Sequence, residues 1–129
     1  GHMVRAVMEG VVYSLRDGLE IMHGLGLSFS QIRATGGGGT SAFWRQMQAD
    51  VYGTEVAILA AEEGPAYGAA LLAGVGTGHF ASVGAAVDTA VVVTSTTSPD
   101  TKRQTQYDQA YGVYRDAYGV LRDLMHRLG

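Results

Sequence analysis

The chain has 129 residues, room for one domain, and its 47% hydrophobic against 16% charged residues, at a mean hydropathy of +0.08, exclude a disordered tail and allow a buried core. Nine Lys and Arg against twelve Asp and Glu leave a net charge of -3, which supplies no electrostatic footprint for nucleic acid or an anionic membrane surface. The absence of cysteine excludes disulfides and thiolate metal sites and suits a reducing interior, so the cytoplasm is the expected location. The apolar runs Val56–Ala61 and Tyr67–Val75 fall short of the roughly 20 residues a membrane helix needs.

Gly1-His2-Met3 reads as the scar of a removed tag and is set aside. From Val4 onward, Val4, Met8, Val11, Leu15, Leu19 and Met22 recur at helical spacing, with Arg5, Glu9, Arg16, Asp17 and Glu20 on other faces, and predict a helix closing at Gly24-Leu25-Gly26. Ser30 to Thr35 reads as a short strand around Ile32. Gly36-Gly37-Gly38-Gly39 follows, with Thr40 or Ser41 as N-cap of a helix from Ala42 to Tyr52 that Gly53 ends. Glu55–Ala60 is a second, parallel strand reached by that helical crossover. Glu62-Glu63-Gly64-Pro65 opens a helix of small residues, Ser82 caps a short helix to Ala90, and Val91–Thr96 is strand-like or extended until Ser98-Pro99-Asp100. Tyr107, Tyr111, Tyr114, Tyr118, Leu121, Met125 and Leu128 then form one stripe on a long last helix, a core or partner surface. The pattern is α/β with helices dominant.

Chemistry concentrates in the glycine loop, where a strand delivers bare amides to a helix N-terminus, an arrangement suited either to a nucleotide or to a plain tight turn. No Lys-Ser/Thr pair closes the loop as in a Walker A motif, and the GxGxxG spacing is absent. His23, His79 and His126 lack the paired spacing of a zinc site. Asp17, Asp50 and Asp88 read as helical surface or structural carboxylates rather than general bases. Glu62 and Glu63 are adjacent and diverge, which suits an interdomain polar contact better than paired acid–base chemistry.

Thr35-Gly36-Gly37-Gly38-Gly39-Thr40-Ser41 with Trp44-Arg45-Gln46, Ala49-Asp50 and Gly53 resembles the adenosine motif of xylulose kinases in the FGGY carbohydrate kinase family. Arg5-Ala6-Val7 with Glu9-Gly10 and Tyr13 resembles the helix before that strand. Glu62-Glu63-Gly64-Pro65-Ala66 with Gly68-Ala69-Ala70 resembles the second connecting motif at the interdomain hinge. The resemblance implies an α/β fold: part of a ribonuclease-H-like, actin-like ATPase lobe, helix-rich, with two parallel strands, Gln31–Thr35 and Glu55–Ala60, as its only sheet members and a long C-terminal helix. It implies that residues 4–129 are the C-terminal part of the nucleotide-binding domain, with the sugar-binding lobe, the phosphate motifs and the catalytic aspartate outside this sequence.

By the same resemblance Gly36, Gly37 and Gly38 line the adenine and ribose of ATP, Ser41 lies near adenine, and Gly39, Thr40, Trp44 and Arg45 complete the motif, with Trp44 equally suited to the core and Arg45 to bracing the loop. The chain departs from the family at Gly39, commonly alanine, at Thr40, commonly basic, and at Tyr67, commonly leucine. The implied partners are ATP, with Mg2+ carried on the nucleotide, and a pentulose such as D-xylulose in the complete enzyme. The isolated chain has no catalytic residue of its own. A non-catalytic domain that self-associates through a bare sheet edge and helix faces is the competing expectation.

Overall fold

A computed structural model describes residues 1–60 and 64–128. Helix α1 (His2–Gly24) leads to strand β1 (Gln31–Ala34), a 3-10 turn (Gly37–Thr40), α2 (Ala42–Tyr52), β2 (Glu55–Leu59), α3 (Gly64–Gly76), α4 (Val83–Ala90), β3 (Val93–Thr97) and α5 (Thr101–His126). The first helix starts at His2, inside the segment set aside as a tag scar, because the Arg5 N–H reaches the Gly1 carbonyl at 3.1 Å and opens the helix there.

β1 and β2 pair in parallel as expected, from Gln31 opposite Glu55 to Ala34 opposite Ile58. They are not the only members of the sheet. β3 joins β2 antiparallel, with Val56 opposite Thr97 and a register irregularity between Ile58 and Leu59, so the order is β1-β2-β3. The run Val91–Thr96 had only strand propensity to recommend it. What turns it into a strand is the short antiparallel return from α4, which brings Val92 O to the Ala60 N–H at 2.8 Å.

Local chemistry explains the element boundaries. Ser41 and Ser82 cap α2 and α4, accepting from Trp44 N–H at 3.3 Å and Ala85 N–H at 3.1 Å. Gly53 closes α2 at φ +64, where glycine is favoured, and a Cβ there would also displace the Gln104 amide of α5. Asp100 caps α5 by accepting from Lys102 and Arg103 N–H groups at 2.9 and 3.2 Å.

The core lies where α1, α2 and α5 meet: Val12 and Tyr13, Met47 and Val51, Tyr107 and Tyr111, with Met8, Trp44, Tyr52 and Tyr114 packed against them. Tyr13 sits among three rings, its centroid 6.3, 5.8 and 5.3 Å from Tyr107, Tyr111 and Tyr114. Arg16 closes the junction. Its Nη1 donates to Val51 O at the end of α2 at 2.9 Å and to Asp108 Oδ1 on α5 at 2.6 Å, and its guanidinium lies 4.2 Å from the Tyr111 ring centroid. The aromatic stripe of α5 therefore divides: Tyr107 and Tyr111 are buried, whereas Tyr118 and Leu128 are 64% and 82% exposed. α5 outruns its contact with α1, which a stripe read along one helix does not reveal.

Two buried phenols behave differently. Tyr111 donates to Asp17 Oδ1 at 2.6 Å, while the Tyr13 hydroxyl has no partner among the described residues. Burial, aided by nearby Glu9, pushes the Tyr13 phenol up to about 12, and burial with the Asp17 hydrogen bond does the same for Tyr111. Tyr13→Phe is expected to leave stability unchanged or raise it by up to about 1 kcal/mol, and Tyr111→Phe to lower it by about 1 kcal/mol. The folded state keeps protons that the unfolded chain releases near pH 10, so these groups stabilise fully below about pH 10 and the stabilisation is lost as pH rises toward 12. Denaturant melts between pH 9 and 12 check both points: stability falls over that window in the parent chain and falls less steeply in Tyr13→Phe.

Candidate functional site

The glycine loop leaves the C-terminal end of β1, the edge strand beside β2, at the end of the strands where parallel α/β sheets place ligands. Gly36 turns the chain at φ +77, a conformation glycine adopts without penalty. Three carbonyls of the loop are then taken up internally. Gly36 O accepts from Gly39 N–H at 2.9 Å, Gly37 O from Thr40 Oγ1 at 2.8 Å, and Gly39 O from Arg45 Nη1 at 2.6 Å. Gly38 lies within the same 3-10 turn. Thr40, at a position that is commonly basic in the resembled family, spends its hydroxyl on the loop itself.

The glycines differ in what surrounds them. Gly37 is exposed and a Cβ built on it would meet nothing within 4 Å, so its backbone faces open space. Gly39 is buried, and its Cβ would stand 3.3 Å from Ile58 Cδ1 and 3.7 Å from Ala34 O. An alanine there requires only that the tip of Ile58 give by a few tenths of an ångström. Across the loop, the N-terminus of α3 approaches, a Cβ on Gly64 lying 3.7 Å from Thr35 Oγ1. The start of α3 thus lies beside the residue that enters the glycine loop, and Glu62 and Glu63 lie outside the described residues. Tyr67, one turn into α3, donates to Ala90 O at 2.7 Å and fastens α3 to the end of α4.

Ser41 acts as the N-cap of α2. Trp44 is half-buried, packs on the three-helix core and forms one wall of an open apolar groove of about 460 Å³ together with Leu15, Leu19, Met22, Ile32 and Tyr52. Arg45 points back to the loop. Its Nε, like Gln48 Oε1 in the groove, is buried with no partner among the described residues.

The carboxylates take structural positions. Asp50 is 1% exposed and accepts from Gln46 Nε2 at 2.8 Å and Asp100 N–H at 2.8 Å, with Arg103 Nε at 3.1 Å from its other oxygen. Gln46 also donates to Ser98 O at 3.0 Å. The structural reading of Asp50 agrees with the sequence, which did not name its partners and gave Gln46 no role beyond the motif. The signal for the pair was present in their separation of four on one helix face, but their other partners lie some fifty residues away. Asp17 accepts from Tyr111, and Asp88 is exposed on α4. His23 stacks on Phe29 at 4.6 Å and His79 meets Phe80 edge-on at 4.7 Å. Among the described residues no group of three or more His, Cys, Asp or Glu converges as a metal site.

The loop thus has three carbonyls engaged and two open glycines, Gly36 and Gly37, between the end of β1 and the start of α2. Residues 1–77 match the C-terminal domain of the FGGY family of carbohydrate kinases, and the chain belongs to that family. Within it, the chain is similar to xylulose kinases: 40% identical over 110 residues to that of Staphylococcus epidermidis and 34% identical over 123 residues to that of Bacillus subtilis, covering 85% and 95% of this chain. It spans about a quarter of those relatives, 22% and 25% of their lengths. The crystal structure of xylulose kinase from Rhodospirillum rubrum superposes with a TM-score of 0.83 at 29% identity over 98% of this chain and 26% of that one. The ligand-bound xylulose kinase of Lactobacillus acidophilus, at 21% identity, shares the fold with a TM-score of 0.86. The α/β architecture is that of the actin-like ATPase lobe.

If Asp50 is a structural tie rather than a proton acceptor, its removal shows in stability. Asp50→Ala is expected to cost about 3 kcal/mol, because Arg103 and the Asp100 amide lose a buried acceptor, whereas Asp88→Ala on the open face of α4 changes the melting curve little. Urea denaturation of the two variants side by side makes the comparison.

Proposed function

We propose that this chain is the adenosine-binding portion of an ATP-dependent kinase that phosphorylates a pentulose such as D-xylulose. The observation that carries the reading is Gly37: exposed, without a neighbour for a Cβ, and set in a loop whose carbonyls are already satisfied. Such a surface admits a flat base and ribose close to the backbone. Gly36, Gly37 and Gly38 would line the adenosine, with Thr40 and Ser41 at the edge of the site and Trp44 behind the loop. ATP supplies the transferable phosphoryl group when bound, and Mg2+ would travel with its phosphates.

What these residues do is bind and orient. Positioning and electrostatics dominate phosphoryl transfer, and the groups that would take the hydroxyl proton and clamp the phosphates belong to the remainder of the longer protein. The isolated chain is therefore expected to give no sugar-dependent ADP release with D-xylulose in a coupled assay. Adenosine and ATP are expected to bind alike, with dissociation constants in the millimolar range, about -4 kcal/mol. Gly37→Val tests the site itself: the side chain enters open space, so the fold is kept and titration calorimetry is expected to record loss of adenosine binding. Retained binding in this variant would contradict the reading.

Self-association of the isolated chain is a second, compatible proposal, favoured by the outer face of α1. Val4 and Val7 are 66% and 69% exposed, Leu15 is 50% exposed, and β1 has no strand on its outer edge among the described residues. Light scattering on a dilution series is expected to show a dimer or larger species at about 100 μM that dissociates on dilution. A chain that remains monomeric throughout would contradict it.

A further inference from the structure

Of the three carbonyl bonds that shape the glycine loop, two are local, running from Gly39 and Thr40 back over three residues. The third comes from α2. Arg45 Nη1 reaches Gly39 O at 2.6 Å across six residues and is the bond that fastens the loop to the helix following it. Gly39 is also buried near Ile58 and the end of β1, where an added Cβ would stand 3.3 Å from the Ile58 tip. Gly39 is thus tied by its carbonyl to the guanidinium and has little free space on the side of Ile58. The amide of the same residue closes the turn on Gly36 O at 2.9 Å, so the position of Gly39 determines where Gly36 and Gly37 stand.

We infer that Arg45 is a positioning residue for the nucleotide site: it acts through the Gly39 carbonyl on the shape of the Gly36–Thr40 loop and does not itself touch the nucleotide. The inference rests on the adenosine reading of the loop and assigns Arg45 a place behind it. Several features agree. The side chain is half-buried, with Nε shielded from solvent, an unsuitable placement for a group that must swing to a ligand. A charged donor on a neutral carbonyl gives a bond stronger than an ordinary amide one. Thr40 contributes only a hydroxyl that is already engaged with Gly37 O, so it leaves Arg45 as the cationic group on the loop's side of α2.

Nuclear magnetic resonance on the 15N-labelled chain provides the test, with Arg45→Gln, Arg45→Lys and, as a control for lost charge, Arg122→Gln on the exposed part of α5. In the absence of nucleotide, Arg45→Gln is expected to move the amide signals of Gly36, Gly37, Gly39 and Thr40, while signals of α1 and α5 stay in place. Adenosine affinity should fall about tenfold, and Arg45→Lys, which keeps one donor for Gly39 O, should restore most of it. The control should change neither the loop signals nor the affinity. Loop signals unmoved in Arg45→Gln would overturn the inference whatever happens to binding, and weakened binding with an unmoved loop would place Arg45 against the ligand instead. Failure of the parent chain to bind adenosine would count against the nucleotide reading alone, because the loop shifts are recorded without ligand.

Discussion

The buried carboxylate of Asp50 is the tie on which the arrangement of helices depends. Taking a carboxylate out of water costs several kcal/mol unless donors replace the lost hydration. Here three do so: the Gln46 amide from the same helix, the Asp100 N–H at the start of α5, and the Arg103 guanidinium one turn into α5. The last two come from the far end of the chain, so the charge is satisfied only when α5 begins against α2. Once it does, Tyr107 and Tyr111 descend onto Tyr13 of α1, and Arg16 can bridge Val51 O and Asp108. Apolar burial supplies most of the free energy at this junction, but the apolar surfaces alone leave the register of α5 undecided. The Asp50 cluster decides it.

The consequence for function runs along α2. One end of this helix is held by Asp50 and Arg16, the other carries Ser41 and the glycine loop, and Arg45 lies between, directed at Gly39. A loop made mostly of glycine cannot be shaped by its own side chains, since it has almost none. Its neighbours are Ile58 of β2 and Arg45 of α2 at Gly39, and Gly64 of α3 beside Thr35. The surfaces that carry no such support are those facing away from the three-helix junction, namely the outer stripe of α1, the distal half of α5, and α3, in which no described residue is buried. A helix as apolar as α3 ordinarily lies inside a protein, and the chain spans about a quarter of the length of the relatives it matches.

What was legible in the sequence was what local chemistry controls. The strand–glycine–helix unit, the caps at Ser41 and Ser82, the stop at Gly53 and the parallel crossover all follow from residues within a few positions of one another, and all are present. The family was legible as well, since its motifs are strings of neighbouring residues. Long-range choices were not. Val91–Thr96 had the propensity of a strand without naming its partner, and the antiparallel seat beside β2 appears only once α3 and α4 have turned the chain around. The α5 stripe looked uniform because periodicity records which face is apolar and not how far the facing helix extends. Asp50 was legible as a structural carboxylate, but two of its three donors, the Asp100 N–H and Arg103, are some fifty residues distant and could not be named. At the loop, the glycine run itself was legible, but the contrast between open Gly36 and Gly37 and confined Gly39 required the positions of Ile58 and Arg45.

The central claim, that the open side of the glycine loop is an adenosine site, is tested most directly by mapping where adenosine lands. Chemical-shift perturbation on the 15N-labelled chain during adenosine titration should place the largest changes at Gly36, Gly37 and Thr40, with smaller ones at Thr35 and at Gly64 beside it. Perturbations centred instead on Leu15, Ile32 and Gln48 would put the ligand in the apolar groove between α1 and β1 and contradict the account.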